Sequence, residues 1–308
     1  MSHLGVLVNP AAGKGRGVGV GAAVLDALRR RGHRVEDLSA HDLLTATTHA
    51  RRAAVAGLDA LVVVGGDGLV HLGANVVADT DLPLGIVTAG TGNDVARALG
   101  LPAGDVAASV DVIERALLTG PRVIDAVSVG SPSHTAREWF LGALSCGIDA
   151  AVNARANALT WPRGSARYVR ALVPELRTFE PYGYRVTTDE GVWESAGTVV
   201  VAANGPWFGG GVHIAPHASL DDGLLDVVVA GPISRAGVVR IFPGMYTGRH
   251  LRHPQVRVIR TRRIVVEHAP HLGREAPVAY ADGEPVGPLP LVAEVHPGAV
   301  RVLAAGSA

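Results

Sequence analysis

The sequence has little cysteine, few aromatic residues and no excess of charge of either sign. Its 308 residues include one cysteine, Cys146, and 4% aromatic residues. A single cysteine excludes an intrachain disulfide framework and a metal site built from several cysteines, and we expect Cys146 to be a buried small hydrophobic residue. Lys and Arg together number 28, as do Asp and Glu. Because a general nucleic-acid binder normally carries a basic excess, we expect no nucleic-acid partner.

Long apolar segments are also missing. No apolar run approaches the ~18 residues of a membrane-spanning helix. The N-terminus, Met1 to Leu4, lacks the basic region and apolar run of a signal peptide. These absences predict a cytoplasmic protein, which would have to meet any lipid substrate at the membrane surface. The composition, 48% hydrophobic and 18% charged, predicts a sizeable core, and the length suggests roughly two domains.

Alternating strand and helix patterns fill the first 120 residues. Strands are predicted at Leu4–Val8, Arg34–Leu38, Leu61–Val64 and Leu84–Val87, with helices between them. This alternation predicts an α/β domain with a doubly wound parallel sheet that is covered by helices on both faces. After Pro121, short strand-like segments dominate and predict a second, mostly β domain of sandwich type. We expect the first domain to span 1–122, completed by a last strand at about 298–308, and the second to span 123–297.

The strand Leu61–Val64 stops on Gly65, Gly66, Asp67 and Gly68. Glycine allows a sharp turn and the close approach of a ligand, and the carboxyl end of a buried strand is where open α/β sheets bind ligands. The segment therefore suits a nucleoside triphosphate, with Asp67 holding its Mg²⁺ directly or through water. A tight strand-to-helix turn, with Asp67 as a helix N-terminal residue, explains the segment equally well.

Two further loops have a similar character. The first strand ends in a basic glycine loop over Asn9–Gly17, which is not the nucleotide P-loop because Lys14 is followed by Gly15. Such a loop suits phosphate, although it also fits a flexible turn. The fourth strand runs into Thr88–Asp94, where glycines again precede a carboxylate, and Asn93 or Asp94 is predicted to cap the next helix.

Separated motifs along nearly the whole chain carry a family resemblance. In order they are Asn9-Pro10-x-x-Gly13-Lys14, Gly65-Gly66-Asp67-Gly68, Gly90-Thr91-Gly92-Asn93-Asp94-Val95-Ala96-Arg97, Asp221-Asp222-Gly223-Leu224-Leu225-Asp226 and Asp282-Gly283-Glu284. Together they resemble the diacylglycerol kinase catalytic-domain family, which includes soluble bacterial diacylglycerol kinases and sphingosine kinases. The second motif is shared with NAD kinases and phosphofructokinases, whereas the third and fourth are much more specific.

The resemblance implies an ATP-binding first domain, a β-sandwich second domain and an active site between them. It implies that Asp67 and Asp94 lie around Mg²⁺–ATP and that Glu284 accepts the proton of the substrate alcohol. It implies a structural Mg²⁺ site at Ser219, Asp222 and Leu224. The nucleotide contacts that it implies are Asn9, Pro10, Ala11, Ala12, Gly13, Ser39, Gly65, Gly66, Asp67, Gly68, Leu69, Val70, His71 and Thr91.

This chain departs from the family pattern after the second motif. Leu69 replaces the usual Thr, and His71-Leu72 replaces the usual Asn-Glu. Leu69 removes a hydroxyl that could contact phosphate, and Leu72 removes a carboxylate. The departures leave a degraded kinase open, but the retention of Asp67, Asp94 and Glu284 favours an active one.

The resemblance therefore predicts an ATP-dependent lipid kinase, most simply one that makes phosphatidic acid from diacylglycerol. Its partners would be Mg²⁺ and a lipid at the membrane surface, reached by transient peripheral contact. A kinase for a sphingoid base, another lipid or NAD and a non-catalytic lipid- or nucleotide-binding relative are the alternatives, NAD being the poorest fit. Self-association into a homodimer is left open.

Overall fold

The computed structural model describes residues 1–9, 17–159, 161 and 166–306. The chain divides into two compact units. The first unit contains Met1–Ala126 and Pro297–Ala308, and the second contains Val127–His296. No helix in the described part of the chain is both long enough and apolar enough to span a membrane.

The first unit alternates strands and helices, as the sequence predicts. Its elements are β1 (His3–Val8), α1 (Gly17–Arg30), β2 (Arg34–Asp37), α2 (Leu43–Val55), β3 (Ala60–Gly65), α3 (Asp67–Val77), β4 (Leu84–Thr88), α4 (Asp94–Ala98) and α5 (Val106–Thr119). The strands form a parallel sheet in the order β2-β1-β3-β4.

Alternate side chains of β3 point to opposite faces of this sheet. Val62 and Val64 belong to a buried cluster with Val24 of α1 and Ile113 of α5. On the other face α3 packs so closely that a Cβ at Gly73 would lie 3.1 Å from Val63 Cγ1. Helices therefore cover both faces, which confirms the predicted doubly wound parallel-sheet domain.

The second unit begins within a long strand and consists mainly of strands. Its elements are β5 (Arg122–Gly130), β6 (Glu138–Phe140), β7 (Ala143–Gly147), α6 (Ile148–Ala158), α7 (Ala166–Thr178), β8 (Tyr182–Thr188), β9 (Gly191–Gly197), β10 (Val199–Ala203), β11 (Leu225–Ala230), α8 (Arg235–Met245), a 3-10 helix (Arg249–Arg252), β12 (Val256–Thr261), β13 (Arg263–His268), β14 (Ala279–Ala281), β15 (Glu284–Gly287) and β16 (Leu291–Val302).

Two antiparallel sheets enclose the core of the second unit. One has the order β12-β11-β10-β7-β14-β15, and the other contains β16, β13, β8 and β9 together with β5 and β6. Leu144 and Val227 of the first sheet share a buried cluster with Tyr184 and Ile264 of the second. This arrangement confirms the predicted sandwich. Cys146 lies in the same core as expected, and burial raises the pKa of its thiol.

The last strand differs from the sequence-based prediction. The sequence predicts separate strands at Leu291–Val295 and Val300–Leu303, because Pro297 and Gly298 are typical turn residues. The structure instead has one strand, β16, that runs through both. Gly298 takes a positive φ of 69°, and its N–H donates to Asp125 Oδ1 at 2.9 Å. The irregular backbone at this point is thus satisfied by a side chain, and the strand continues.

Candidate functional site

Asp67 joins two of the glycine loops of the first unit, Gly65–Gly68 and Thr88–Asp94. It is the first residue of α3, directly after β3 and Gly66. Its carboxylate reaches the neighbouring loop, where Oδ2 accepts the N–H of Asn93 at 2.8 Å and Oδ1 accepts the N–H of Asp94 at 2.7 Å. Asp67 is therefore a helix N-terminal residue, and it also fixes the position of the loop that carries Asp94.

Glycine is required where these two loops touch. A Cβ at Gly90 would lie 2.5 Å from Gly66 Cα and 2.8 Å from Asn93 Oδ1. A Cβ at Gly66 would lie 3.2 Å from Gly90 Cα. At least part of the glycine content of both motifs thus serves the contact between two backbones.

Asp94 is a buried carboxylate with a cationic neighbour. Only 6% of the residue is exposed, and Oδ1 accepts from Arg97 Nη1 at 2.6 Å. The sequence predicts that Asn93 or Asp94 caps helix α4. Asn93 does occupy the N-cap position, with φ 54°, but its side chain makes no capping hydrogen bond. Its Nδ2 donates instead to Gly90 O at 3.1 Å, since the Asp67 carboxylate already takes the amides at this helix end.

The predicted nucleotide-binding residues differ in how far each residue is exposed to solvent. Asn9 donates its N–H to Val64 O, and the half-buried Ser39 accepts the N–H of Val8 at its Oγ. Thr91 is exposed. Gly65 is buried and Gly68 is half-buried beside Asp67, while the predicted contacts Pro10, Ala11, Ala12 and Gly13 lie outside the described residues.

The first turn of α3 is packed into the first unit. Leu69 and Val70 are each 3% exposed, and His71 is also buried. A Cβ at Gly65 would lie 3.0 Å from both Leu69 Cβ and Cδ2, so the leucine covers the end of β3. Leu69, the first of the residues that depart from the family pattern, is therefore a core residue here.

Glu284, the predicted proton acceptor, begins β15 in the second unit and is half-buried. It follows a two-residue turn in which Asp282 has φ 50° and Gly283 has φ 89°. Two consecutive positive φ angles are typical of a tight hairpin, and Asp-Gly is a favoured sequence for it. The hairpin of β14 and β15 therefore presents Glu284 from a strand, where the sequence predicts only a turn.

Asp282 is a structural anchor that the sequence analysis does not identify. Its carboxylate accepts the N–H groups of Leu141 and Gly142 at 2.9 Å and of Ala143 at 3.2 Å. Leu141 and Gly142 lie between β6 and β7 and Ala143 begins β7, where the sequence predicts one continuous strand over Trp139–Ser145. Because Asp282 takes these amides, the segment breaks into two strands. The Asp-Gly dipeptide marks a hairpin, but nothing local to it marks these distant partners.

Two asparagines support the same region of the second unit. The buried Asn204 donates from Nδ2 to Leu141 O at 2.8 Å. Asn153 of α6 donates from Nδ2 to Gly283 O at 3.2 Å. The hairpin that carries Glu284 is thus tied to the segment before β7 and to helix α6.

Comparison with known proteins assigns the family. A family model described as the diacylglycerol kinase catalytic domain matches residues 3–129, and one described as the YegS C-terminal NAD kinase beta sandwich-like domain matches 142–304. A protein of Mycobacterium tuberculosis (strain ATCC 25618 / H37Rv) named diacylglycerol kinase is 36% identical over 96% of this chain and 93% of its own length. The chain belongs to the diacylglycerol kinase family of lipid kinases.

More distant members of the diacylglycerol kinase family cover the chain to the same extent. A Bacillus subtilis (strain 168) protein named diacylglycerol kinase is 25% identical over 94% of this chain and 92% of its own length. A crystal structure of a diacylglycerol kinase from Bacillus anthracis str. Sterne matches 99% of this chain and 97% of its own, with a TM-score of 0.71 and 21% identity. This structural likeness shows that the two chains share one fold.

In this lipid kinase, the predicted structural Mg²⁺ residues lie around a loop held by an ion pair. Asp222 Oδ1 accepts the N–H of Leu224 at 3.0 Å, and Oδ2 pairs with Arg260 of β12. Ser219 Oγ donates to Asp221 Oδ1 at 2.7 Å. Within the described ranges, no three His, Cys, Asp or Glu residues group as metal ligands. A Mg²⁺ ion here would share Asp222 with Arg260, and this metal role stays a prediction.

Proposed function

We propose that this lipid kinase uses ATP and transfers the γ-phosphate to a lipid hydroxyl, most simply converting diacylglycerol to phosphatidic acid. The observation that carries the proposal is the link from Asp67 to the amides of Asn93 and Asp94. This link holds two motifs together as one rigid group. They are the two motifs that the family resemblance places around Mg²⁺–ATP. Membership of the diacylglycerol kinase family supports the choice of a lipid acceptor.

The reaction needs a group that takes up the proton of the alcohol. In the proposed step the alcohol oxygen bonds to the γ-phosphorus, the bond from that phosphorus to the β–γ bridging oxygen breaks, and ADP leaves. The alcohol proton passes to the carboxylate of Glu284 as the new bond forms. The anchoring of its hairpin by Asp282 and Asn153 supports this role, because a general base must be held in place.

A bound magnesium ion would neutralise part of the negative charge of the triphosphate. Asp67 and Asp94 are the residues proposed to hold it, since carboxylate oxygens are the ligands that Mg²⁺ prefers. Each carboxylate oxygen can accept more than one contact, so the hydrogen bonds of Asp67 leave capacity for a metal-bound water. Arg97 beside Asp94 would compete with the ion and favours such an indirect arrangement.

The burial of Leu69 and Leu72 gives these two departures from the family pattern a structural explanation other than degradation of the kinase. Leu69 is 3% exposed and Leu72 is 8% exposed. Both are therefore explained by packing of α3.

We further propose that the enzyme is cytoplasmic, that it meets its lipid by transient peripheral contact with the membrane, and that a homodimer is an open alternative to a monomer.

The test is a phosphorylation assay with the full chain, radiolabelled ATP and a lipid panel in mixed micelles, with Mg²⁺ or with EDTA. We expect labelled lipid only with Mg²⁺, and about 10²- to 10⁴-fold less of it per unit time from Glu284→Gln. The matched control is Glu190→Gln, an exposed glutamate in the turn between β8 and β9. Absence of labelled lipid from the folded wild-type protein across the panel would reject the proposal.

A further inference from the structure

Charge is unevenly distributed along the second unit. Residues 227–266 contain eight of the 28 Lys and Arg residues and none of the 28 Asp and Glu residues, although the chain as a whole is neutral. This segment includes α8, the 3-10 helix and β12. Such a concentration of one charge in a neutral chain indicates a surface that attracts anions.

The outer side of α8 is an exposed apolar stripe. None of the eleven described residues of this helix is buried. Val239, Pro243 and Tyr246 follow one another at i, i+4 and i+7, so they share one side of the helix. Val239 is 57% exposed, and Tyr246, which caps the helix, is 43% exposed. The Tyr246 ring packs edge-on against Phe242, with 5.8 Å between the ring centroids, and this contact holds the ring at the surface.

Three exposed arginines lie beside the apolar stripe. Arg240 lies one turn before Gly244, and a Cβ at Gly244 would lie 3.5 Å from Arg249 Cβ. The row of side chains that contains Arg240 therefore continues into Arg249. Residues three apart in a 3-10 helix are eclipsed, so Arg252 projects from the same side as Arg249. The arginines thus form one row along the edge of the stripe, and all three are exposed.

The inner side of the same segment is fixed to the second unit. Met245 and Leu251 pack against a buried cluster built on β10 and β11. His250, which lies between two of the arginines, is buried, and its Nε2 donates to Ile214 O at 2.9 Å. Because α8 and the 3-10 helix are held from the inside, the stripe and the arginines form a surface that needs no rearrangement to meet a partner.

We propose that this docking surface, formed by the apolar stripe and the three arginines, binds the enzyme to an anionic membrane. The inference rests on the proposed function, because a lipid kinase must reach an acceptor that lies in a bilayer. Arginines beside an exposed apolar stripe are typical of a helix that lies among the headgroups of anionic lipids. A nucleic acid would leave the stripe unused. A symmetric contact with a second copy would bring the arginines of both copies together, and the segment has no carboxylate to pair with them.

The docking surface is separate from the predicted proton acceptor. The 3-10 helix packs beside β12. β12 and β15, which presents Glu284, are opposite edges of one six-stranded sheet. Five strand spacings place these edges about 24 Å apart. Substitutions in the docking surface should therefore weaken membrane binding and leave turnover of an acceptor in neutral detergent micelles unchanged.

The experiment measures sedimentation of the full chain with vesicles in the absence of ATP. The vesicles contain phosphatidylcholine alone or an equal mixture with phosphatidylglycerol. We expect the wild type to bind the anionic vesicles much more tightly than the neutral ones. The triple variant Arg240→Gln, Arg249→Gln, Arg252→Gln should bind the anionic vesicles about 10²-fold more weakly, at about five-fold for each arginine. The double variant Val239→Ser, Tyr246→Ser should bind them about 10-fold more weakly.

The matched control replaces Arg51, Arg52 and Arg115, which are exposed on helices of the first unit, with glutamine. It removes the same charge and should bind within about two-fold of the wild type. Equal losses in both triple variants, or equal binding of the wild type to both kinds of vesicle, would overturn the inference. Unchanged binding by the double variant would also overturn it and would indicate a polyanion such as a nucleic acid. A wild-type dimer that becomes a monomer in the arginine variant, measured by light scattering, would identify the surface as a subunit interface instead.

Turnover of diacylglycerol in neutral detergent micelles is measured on the same preparations. We expect wild-type kcat for the arginine variant there, and a loss of kcat as large as its loss of vesicle binding would overturn the separation of docking from chemistry. A wild-type protein that phosphorylates no lipid, yet binds anionic vesicles through these arginines, would reject the proposed function and leave the docking surface in place. Active protein that binds neither kind of vesicle would reject the docking surface alone.

Discussion

The two units use the same device for different purposes. In the first unit Asp67 follows a strand and accepts the amides of Asn93 and Asp94. In the second unit Asp282 follows a strand and accepts the amides of Leu141, Gly142 and Ala143. A carboxylate that accepts two or three backbone N–H groups replaces missing sheet or helix partners and fixes one loop against another.

The difference lies in where the predicted reactive group sits. In the first unit the anchor is itself a predicted Mg²⁺–ATP residue, and Asp94, the other one, lies on the loop that it holds. In the second unit the anchor and the predicted proton acceptor are separate residues, Asp282 and Glu284, on one hairpin. Substitutions of Asp67 should therefore affect structure and chemistry together, whereas those two effects should separate in the second unit.

The largest expected effect comes from Glu284→Gln. Glutamine keeps the size of the side chain but cannot accept the proton, so kcat should fall about 10²- to 10⁴-fold. The melting temperature and the Kd for ATP should stay at wild-type values, because the Asp282 hydrogen bonds are untouched. Steady-state lipid phosphorylation and a nucleotide titration on one preparation measure both quantities. Weaker ATP binding with unchanged kcat would make Glu284 a nucleotide contact.

Asp67→Asn should combine the two effects. Its amide nitrogen would face one of the backbone N–H groups that the carboxylate now binds, which leaves a donor unsatisfied. We expect kcat/KM to fall about 10²-fold and the free energy of unfolding to fall by about 1–3 kcal/mol. Asp26→Asn, at an exposed position of α1, is the matched control for both assays. Lost stability with normal turnover would reduce Asp67 to an anchor like Asp282.

Asp149, a carboxylate with buried oxygens in the first turn of α6, should give the second unit a characteristic pH dependence. The pKa of its carboxyl rises on folding from 3.8 to about 6, so the folded state binds more protons between these values. The contribution of Asp149 to stability is then largest below pH 4 and is lost as the pH rises through 6. Relative to Asp149→Asn, the wild type should lose about 2 kcal/mol of unfolding free energy between pH 4.5 and 7.5.

Chemical denaturation of both proteins at several pH values measures this difference. The neighbouring ionisable groups, Cys146, Tyr182 and Tyr184, have raised pKa values and stay neutral over this range. A constant difference between the two proteins from pH 4.5 to 7.5 would show that the carboxylate is stabilised by other contacts.

Asp282→Asn tests whether anchoring and chemistry do separate. The side-chain carbonyl of asparagine can still accept hydrogen bonds from some of the three backbone amides. The loss of stability should therefore be about 1–2 kcal/mol. Glu284 remains, and we expect kcat to fall by only about 10-fold as its hairpin loosens. Thermal melts and turnover, with Glu190→Gln as control, check both. A loss of kcat as large as that of Glu284→Gln would mean that Asp282 takes part in the reaction itself.

Leu69→Thr is expected to have the smallest effect on turnover. Because Leu69 is buried against the end of β3, threonine should cost about 1–2 kcal/mol of stability and leave the KM for ATP unchanged. Ala and Thr variants at this position, compared by melting temperature and ATP titration, separate packing from phosphate contact. A lower KM for ATP in the threonine variant alone would show that the hydroxyl reaches phosphate.

The sequence by itself determined the two architectures. The alternation of apolar runs with helical patterns predicts a parallel sheet, and short strands after Pro121 predict the sandwich, because hydrophobic periodicity is a local property of the chain. The sequence also predicts the glycine-flanked carboxylates at strand ends, since sharp turns and close backbone contacts need glycine. The family motifs named Asp67, Asp94 and Glu284 as candidate site residues.

Only the tertiary structure decided what these carboxylates contact. Asp67 and Asn93 are separated by 26 residues, and Asp282 and Leu141 by 141. No local pattern encodes such pairs, because they depend on how strands distant in sequence are ordered in a sheet. The capping of α4 by Asp67, the break between β6 and β7, the core position of Leu69 and the buried carboxylate of Asp149 all follow from that order. Propensity and hydrophobic periodicity report which residues of a segment face solvent or the core. The features above arise instead from contacts between segments that are distant in sequence.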